Sequence, residues 1–143
     1  MSPEERPTFS SAQIVYGQIV YWVTILACIM CMIGPLIAMS SAENNVGNPH
    51  YLFASIFAGD DAETVWNKVA GGFPGGHFWA KNFTKGDGFT QLGLALGCSV
   101  ALWALIVAAF LYMREKVYLY VALSLWVALL VFLSASGVVS GGH

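Results

Sequence analysis

Few residues in this 143-residue chain have the chemistry of a catalyst or a ligand, and where they fall decides what they can do. The histidines are His50, His77 and His143, and none lies in a long apolar run. Haem held at membrane depth needs axial ligands there, usually histidine, so no haem within a span is expected. His77 sits in Pro74-Gly-Gly-His77-Phe-Trp79, where glycines let backbone and ligand come close. His77 and His50 are therefore the candidate cofactor-binding residues, for haem or metal at the membrane surface. The competing and preferred reading is that His77 is an interfacial ring with no ligand. Cys28-Ile-Met-Cys31 puts two thiols on one helix face, the spacing of a redox pair or half a metal site. Ile25, Leu26, Ile29, Met30 and Ile33 surround them, however, and apolar burial makes a thiol inert. Two sulfurs also fall short of the four ligands of structural zinc. Asp60, Asp61 and Glu63 are better explained by a helix N-terminus, which favours negative charge, than by acid–base catalysis. No phosphate-binding loop, nucleophile elbow or HExxH is present. The expectation is a chain with no catalytic residue, no metal site and no cofactor of its own, haem, quinone or pigment contact being the exception to look for. Asn82-Phe83-Thr84 fits an N-glycosylation acceptor, a pattern common by chance.

The elements that must position these residues are membrane helices. The chain is 57% hydrophobic and 10% charged, with a mean hydropathy of +0.67, whereas soluble domains carry about 25% charged residues. The net charge of −2 comes without any basic run, which argues against nucleic acid and against anionic lipid as partners. Three segments reach the roughly 20 apolar residues a bilayer requires: 13–39, 89–113 and 117–139. The last two are separated only by Arg114, Glu115 and Lys116, so they form a transmembrane hairpin. No Asp, Glu, Lys or Arg falls inside any span, and proton relays, ion coupling and voltage sensing all depend on such residues. Cys98, like the other two cysteines, is in a span, so no disulfide framework is indicated. The fold class expected is an all-α integral membrane protein, one membrane domain of three transmembrane helices with a long, aromatic-rich external loop over 40–88.

Local signals refine this outline. Ser10 or Ser11 can cap the first span, and Gly34-Pro35 should kink it or loosen its last turn. Ser40-Ser41-Ala42 resembles a cleavage site, but the preceding tail is acidic and the apolar run too long for a signal peptide, so an uncleaved span is expected. Within the loop, Pro49 suits the first turn of a short helix over 50–57, which Gly59 breaks. Asp60 with Glu63 resembles a capping box for a second short helix, ended by Gly71-Gly72. Trp66, Phe73, Phe78 and Trp79 are the candidate loop-docking residues, because a loop this aromatic needs cover from lipid or from an external partner. Gly93, Gly97 and Ala101 form a small-residue ridge for close helix packing, against the first span or another protein.

The charged turn Arg114-Glu115-Lys116, after Phe110-Leu-Tyr-Met113 and before Val117-Tyr-Leu-Tyr-Val121, resembles a group of small uncharacterised three-span prokaryotic inner-membrane proteins. The resemblance covers about 50 residues, and members of that group are often taken to accompany transporters. It implies at most an accessory role.

The functional expectation is a small non-catalytic accessory subunit of a larger bacterial membrane complex, respiratory, photosynthetic or otherwise electron-transferring. Its partners would be other integral membrane subunits, lipid and an external protein on 40–88. Lys/Arg density puts the tail, with Arg6, and the Arg114–Lys116 turn in the cytoplasm, and the loop and C-terminus outside the inner membrane. One alternative is a transporter accessory subunit or small homo-oligomeric channel. The other is a redox subunit with cofactor ligands in the loop.

Overall fold

The computed structural model describes residues 7–138; Arg6, Val139 and His143, which entered the sequence reading, lie outside them. Five α-helices and two single turns of 3-10 helix make up the regular structure of those residues: α1 (Ser11–Ser40), α2 (Pro49–Phe57), α3 (Ala62–Ala70), α4 (Gly86–Arg114) and α5 (Tyr118–Ala135). α1, α4 and α5 are each long and apolar enough to cross a membrane. At about 1.5 Å per residue, even the 18 residues of α5 extend about 27 Å, close to the roughly 30 Å hydrocarbon core.

α1 begins at a reciprocal capping box. The Gln13 N–H donates to Ser10 Oγ, and the Ser10 N–H donates to Gln13 Oε1, each at 3.3 Å. The helix runs through Pro35 to Ser40. Two of its last carbonyls, which lack helical partners, are met by side chains: Ser40 Oγ donates to Ile37 O at 2.7 Å and Asn45 Nδ2 to Ala38 O at 2.9 Å. α4 starts at Gly86, three residues before the expected span, because Asp87 fits a helix's first turn. Between α4 and α5, Lys116 takes a left-handed φ of 60°, a position usually given to glycine. The Val117 N–H reaches Tyr112 O at 3.0 Å and the Lys116 N–H reaches Met113 O at 3.2 Å, closing a Schellman turn. α5 ends at Ala135, earlier than the expected 139, with Gly137 at φ 73° just beyond.

The stretch between α1 and α4, expected as a loop with two short helices in it, holds those helices as α2 and α3, together with the two 3-10 turns. Asn48 caps α2 by accepting from the His50 N–H at 3.0 Å, with Pro49 in the first turn as its spacing suggested. Gly59, at φ 78°, ends that helix. The cap of α3 is Asp61, which accepts from the Thr64 N–H at 3.3 Å, and not Asp60 as the sequence suggested. Asp60 is instead drawn to Lys68, eight residues on, leaving the neighbouring carboxylate to the helix end. Gly71, at φ 73°, closes α3. The two short helices form a hairpin, tied at its base by the Asn48 N–H to Val69 O at 3.1 Å, with Ser55 and Val69 buried.

The chain divides into two compact units, Leu26–Leu96 and the segments on either side of it. In the flanking unit Ala104, Ala108, Ser124 and Ala128 are buried, and the rings of Tyr112 and Tyr120 meet at 5.4 Å. A cavity of about 230 Å³ there is bordered by Gln13, Tyr16, Leu105, Ala108, Tyr112 and Ser124. Among the described residues no large side chain is fully buried, and Trp22, Leu36, Trp103, Phe110 and Trp126 on the long helices are all exposed.

Candidate functional site

The site is assembled in the unit Leu26–Leu96, where the end of α1 meets the beginning of α4. Small residues make the approach. Gly34 of α1 faces the Thr90 hydroxyl so closely that a Cβ would collide with it, and Gly86 of α4 abuts the Ala38 backbone in the same way. One step further along α4, a Cβ on Gly93 would lie 2.9 Å from Met30 Cβ and 3.1 Å from Cys31 Sγ. Gly86, Thr90 and Gly93 follow the 4–3 spacing of one helix face, so they form a seam that admits the backbone of α1. Thr90 stays compatible with this seam by donating its hydroxyl to Gly86 O at 2.8 Å.

Asp87, in the first turn of α4, fastens the chain that leaves α1. Its Oδ2 accepts from the Val46 N–H at 2.8 Å and the Gly47 N–H at 2.9 Å, while Oδ1 accepts from the Gly88 N–H at 2.8 Å. Such charge-assisted bonds are stronger than neutral ones, and the successive N–H groups of 46 and 47 form a small anion nest. Lys85 Nζ adds a bond to Glu43 O at 2.6 Å. Gly47 is held from its other side as well, since a Cβ there would come 3.0 Å from Val69 Cγ1. The helical hairpin is thereby locked to the start of α4.

A cavity of about 470 Å³ lies within this frame. Ala38 and Met39 contribute from α1, Pro49 and Leu52 from α2, Trp66 and Val69 from α3, with Pro74 and Phe78 beyond; Asn45, Asp87, Thr90 and Gln91 provide the polar part of its lining. This volume is in the range of small-molecule sites, roughly 300–1,000 Å³.

The candidate residues read from the sequence are distributed unevenly around it. Trp66 and Phe78 line the cavity. Phe73 stacks edge-on against Trp66, with ring centroids 5.3 Å apart, and remains exposed. Trp79 is half-buried outside the lining, its ring 6.4 Å from His77. His77 and His50 are both exposed and are not in the lining, although their neighbours Phe78 and Pro49 are, and the His50 ring packs on Tyr51. Among the described residues, no group of three or more His, Cys, Asp or Glu is placed to hold a metal ion. Gly93 is buried against α1, whereas Gly97 and Ala101 are half-buried. Cys28, Cys31 and Cys98 are free thiols; Cys31 lies in the seam, directed at Thr90 O from 3.9 Å, and Cys28 is exposed. Asn82, of the glycosylation pattern, donates its side-chain N–H to Phe78 O at 3.0 Å.

Sequence reasoning missed Gly34, Gly86 and Thr90 as members of the seam, Asp87 as its anchor, and the cavity. Gly86, three residues before the expected span of 89–113, was the available signal ahead of Gly93; Thr90 and Gly34 lie inside expected spans, where nothing in their local spacing marked them as partners.

Comparison with known proteins identifies the lineage. A protein family of uncharacterised function matches residues 12–138, and the chain belongs to it. An uncharacterised protein of Archaeoglobus fulgidus is 27% identical over 123 residues, a match that covers 79% of each chain. No solved structure matches.

Proposed function

We propose that this protein is a small non-catalytic subunit of a larger membrane complex, and that it docks a partner through the apolar surface of its α2–α3 hairpin. One observation carries the reading. On α2, Phe57 is 86% and Phe53 60% exposed, with Ile56 beside them, although the hairpin lies outside the three long apolar helices. Phe73 and Phe83 are exposed as well. Positions 53, 56 and 57 share one face of α2 by helical spacing, and an uncovered apolar face of this kind marks an interaction site. The long helices also leave rows of large apolar side chains uncovered, which suits lipid and neighbouring spans alike.

The density of Arg and Lys along the sequence supports a cytoplasmic tail and a hairpin outside the inner membrane. An electron-transfer assembly is the proposed host. The channel alternative would need free polar groups along a span, yet Ser124 is buried and Ser136 donates to its own helix at Leu133 O.

A photo-crosslinking amino acid at position 57 or 73 in native membranes tests the docking surface. Adducts with a different membrane or external subunit are expected. Adducts with lipid alone would contradict it.

A further inference from the structure

The 470 Å³ cavity has the chemistry of a site for one class of small molecule. Its walls combine flat, stiff groups: the rings of Trp66 and Phe78, and the pyrrolidines of Pro49 and Pro74. Such faces suit a planar ring better than a flexible acyl chain, because aromatic surfaces stack with little loss of freedom. No lysine, arginine or histidine lines the cavity, so an anionic head group would enter without a counter-charge. Asp87 is the only charged residue in the lining, and both of its oxygens already accept backbone N–H groups. A cation would therefore meet a carboxylate whose lone pairs are largely occupied. What remains for a ligand is neutral hydrogen bonding: the Gln91 side-chain amide can donate and accept, whereas the Asn45 amide N–H groups go to Ala38 O and Ser41 O and the Thr90 proton to Gly86 O, so those two side chains offer only acceptor oxygens. The cavity also lies where α1 ends and α4 begins, the depth of the membrane–water boundary if these helices span. A molecule dissolved in the bilayer would reach it from the membrane.

We infer that this cavity binds a neutral, ring-bearing, membrane-soluble carbonyl compound of the quinone class, with its ring against Trp66 and Phe78 and a carbonyl oxygen at the Gln91 amide. The site belongs to this chain alone and stands whether or not the docking surface finds a partner.

The test uses the full chain in lipid nanodiscs, titrated with 2-methyl-1,4-naphthoquinone and read by tryptophan fluorescence quenching and equilibrium dialysis. A saturable component with one site per chain is expected, and Trp66→Phe should remove most of its quenching amplitude while dialysis still shows binding. Gln91→Leu, at an exposed position that leaves the fold intact, should weaken binding roughly tenfold, the worth of one hydrogen bond. Leu52→Trp should fill the cavity and abolish the site, a thermal melt confirming that the variant is folded. Quenching that rises linearly with quinone in the bilayer and never saturates would overturn the inference. So would saturable binding that Gln91→Leu leaves unchanged, or equally effective displacement by palmitate, which would show an acyl-chain site.

Discussion

Asp87 is the side chain on which the most structure depends for its size. It supplies the acceptors for the N–H groups of Val46 and Gly47, and so connects residues up to 41 positions apart. Removing an acceptor from a part-buried N–H costs about 1–3 kcal/mol. Asp87→Ala should therefore lower stability by about that amount and expose residues 43–48 to protease, while Asp87→Asn, retaining one acceptor, should lose less. Thermal melts in mild detergent and limited proteolysis check both. Asp61 acts more locally. The hydroxyl and then the N–H of Thr64 hold its carboxyl below the usual carboxylate range. A carboxyl whose folded value is depressed adds stability above its unfolded value, about pH 4, and that contribution disappears as pH falls through the folded value. Hydrogen exchange at the first turn of α3 should thus be faster in Asp61→Ala than in the natural protein at pH 6, with the difference vanishing near pH 2. A difference that persists at pH 2 would assign the effect to something other than the ionised cap.

The elements divide into those whose ends carry their own signals and those placed by contacts from afar. Pro49 and Gly59 bracket α2, and Gly71 ends α3, so these boundaries could be read from residues next to them. The three long helices were equally legible, because an uninterrupted apolar run of that length has few other solutions. The N-cap of α3 was not, since choosing between Asp60 and Asp61 requires knowing that Lys68 reaches back to Asp60. The cavity was invisible for the same reason: its lining comes from four helices and the segments between them, and no local spacing brings Trp66 to Thr90. The seam was half visible. Gly93 stood out in a small-residue ridge, but its continuation through Thr90 to Gly86 crosses the boundary at which hydropathy ended the span. Leucine at Gly93 must displace Met30 and Cys31, so Gly93→Leu should cost about 1–3 kcal/mol or more. Gly97→Leu, at a half-buried position, should cost less if that position faces lipid, and should instead weaken assembly with other subunits if it faces a partner. Melting temperature of the isolated chain, compared with retention of partners during purification, separates the two effects.

For the whole molecule, the account rests on what this chain leaves uncovered. Among the described residues, large side chains are exposed along all three long helices and on the hairpin, and the buried positions are mainly alanine, glycine and serine. A chain built this way holds its own helices together with small residues and offers its large ones to lipid and neighbours. The measurement that tests this most directly is purification from native membranes in a gentle detergent, followed by native mass spectrometry of the intact particle. The account predicts that the chain co-migrates in fixed ratio with larger and different membrane subunits, and that Phe57→Asp, which leaves the α2–α3 hairpin folded, loosens that association. A particle containing only copies of this chain, unchanged by Phe57→Asp, would contradict it.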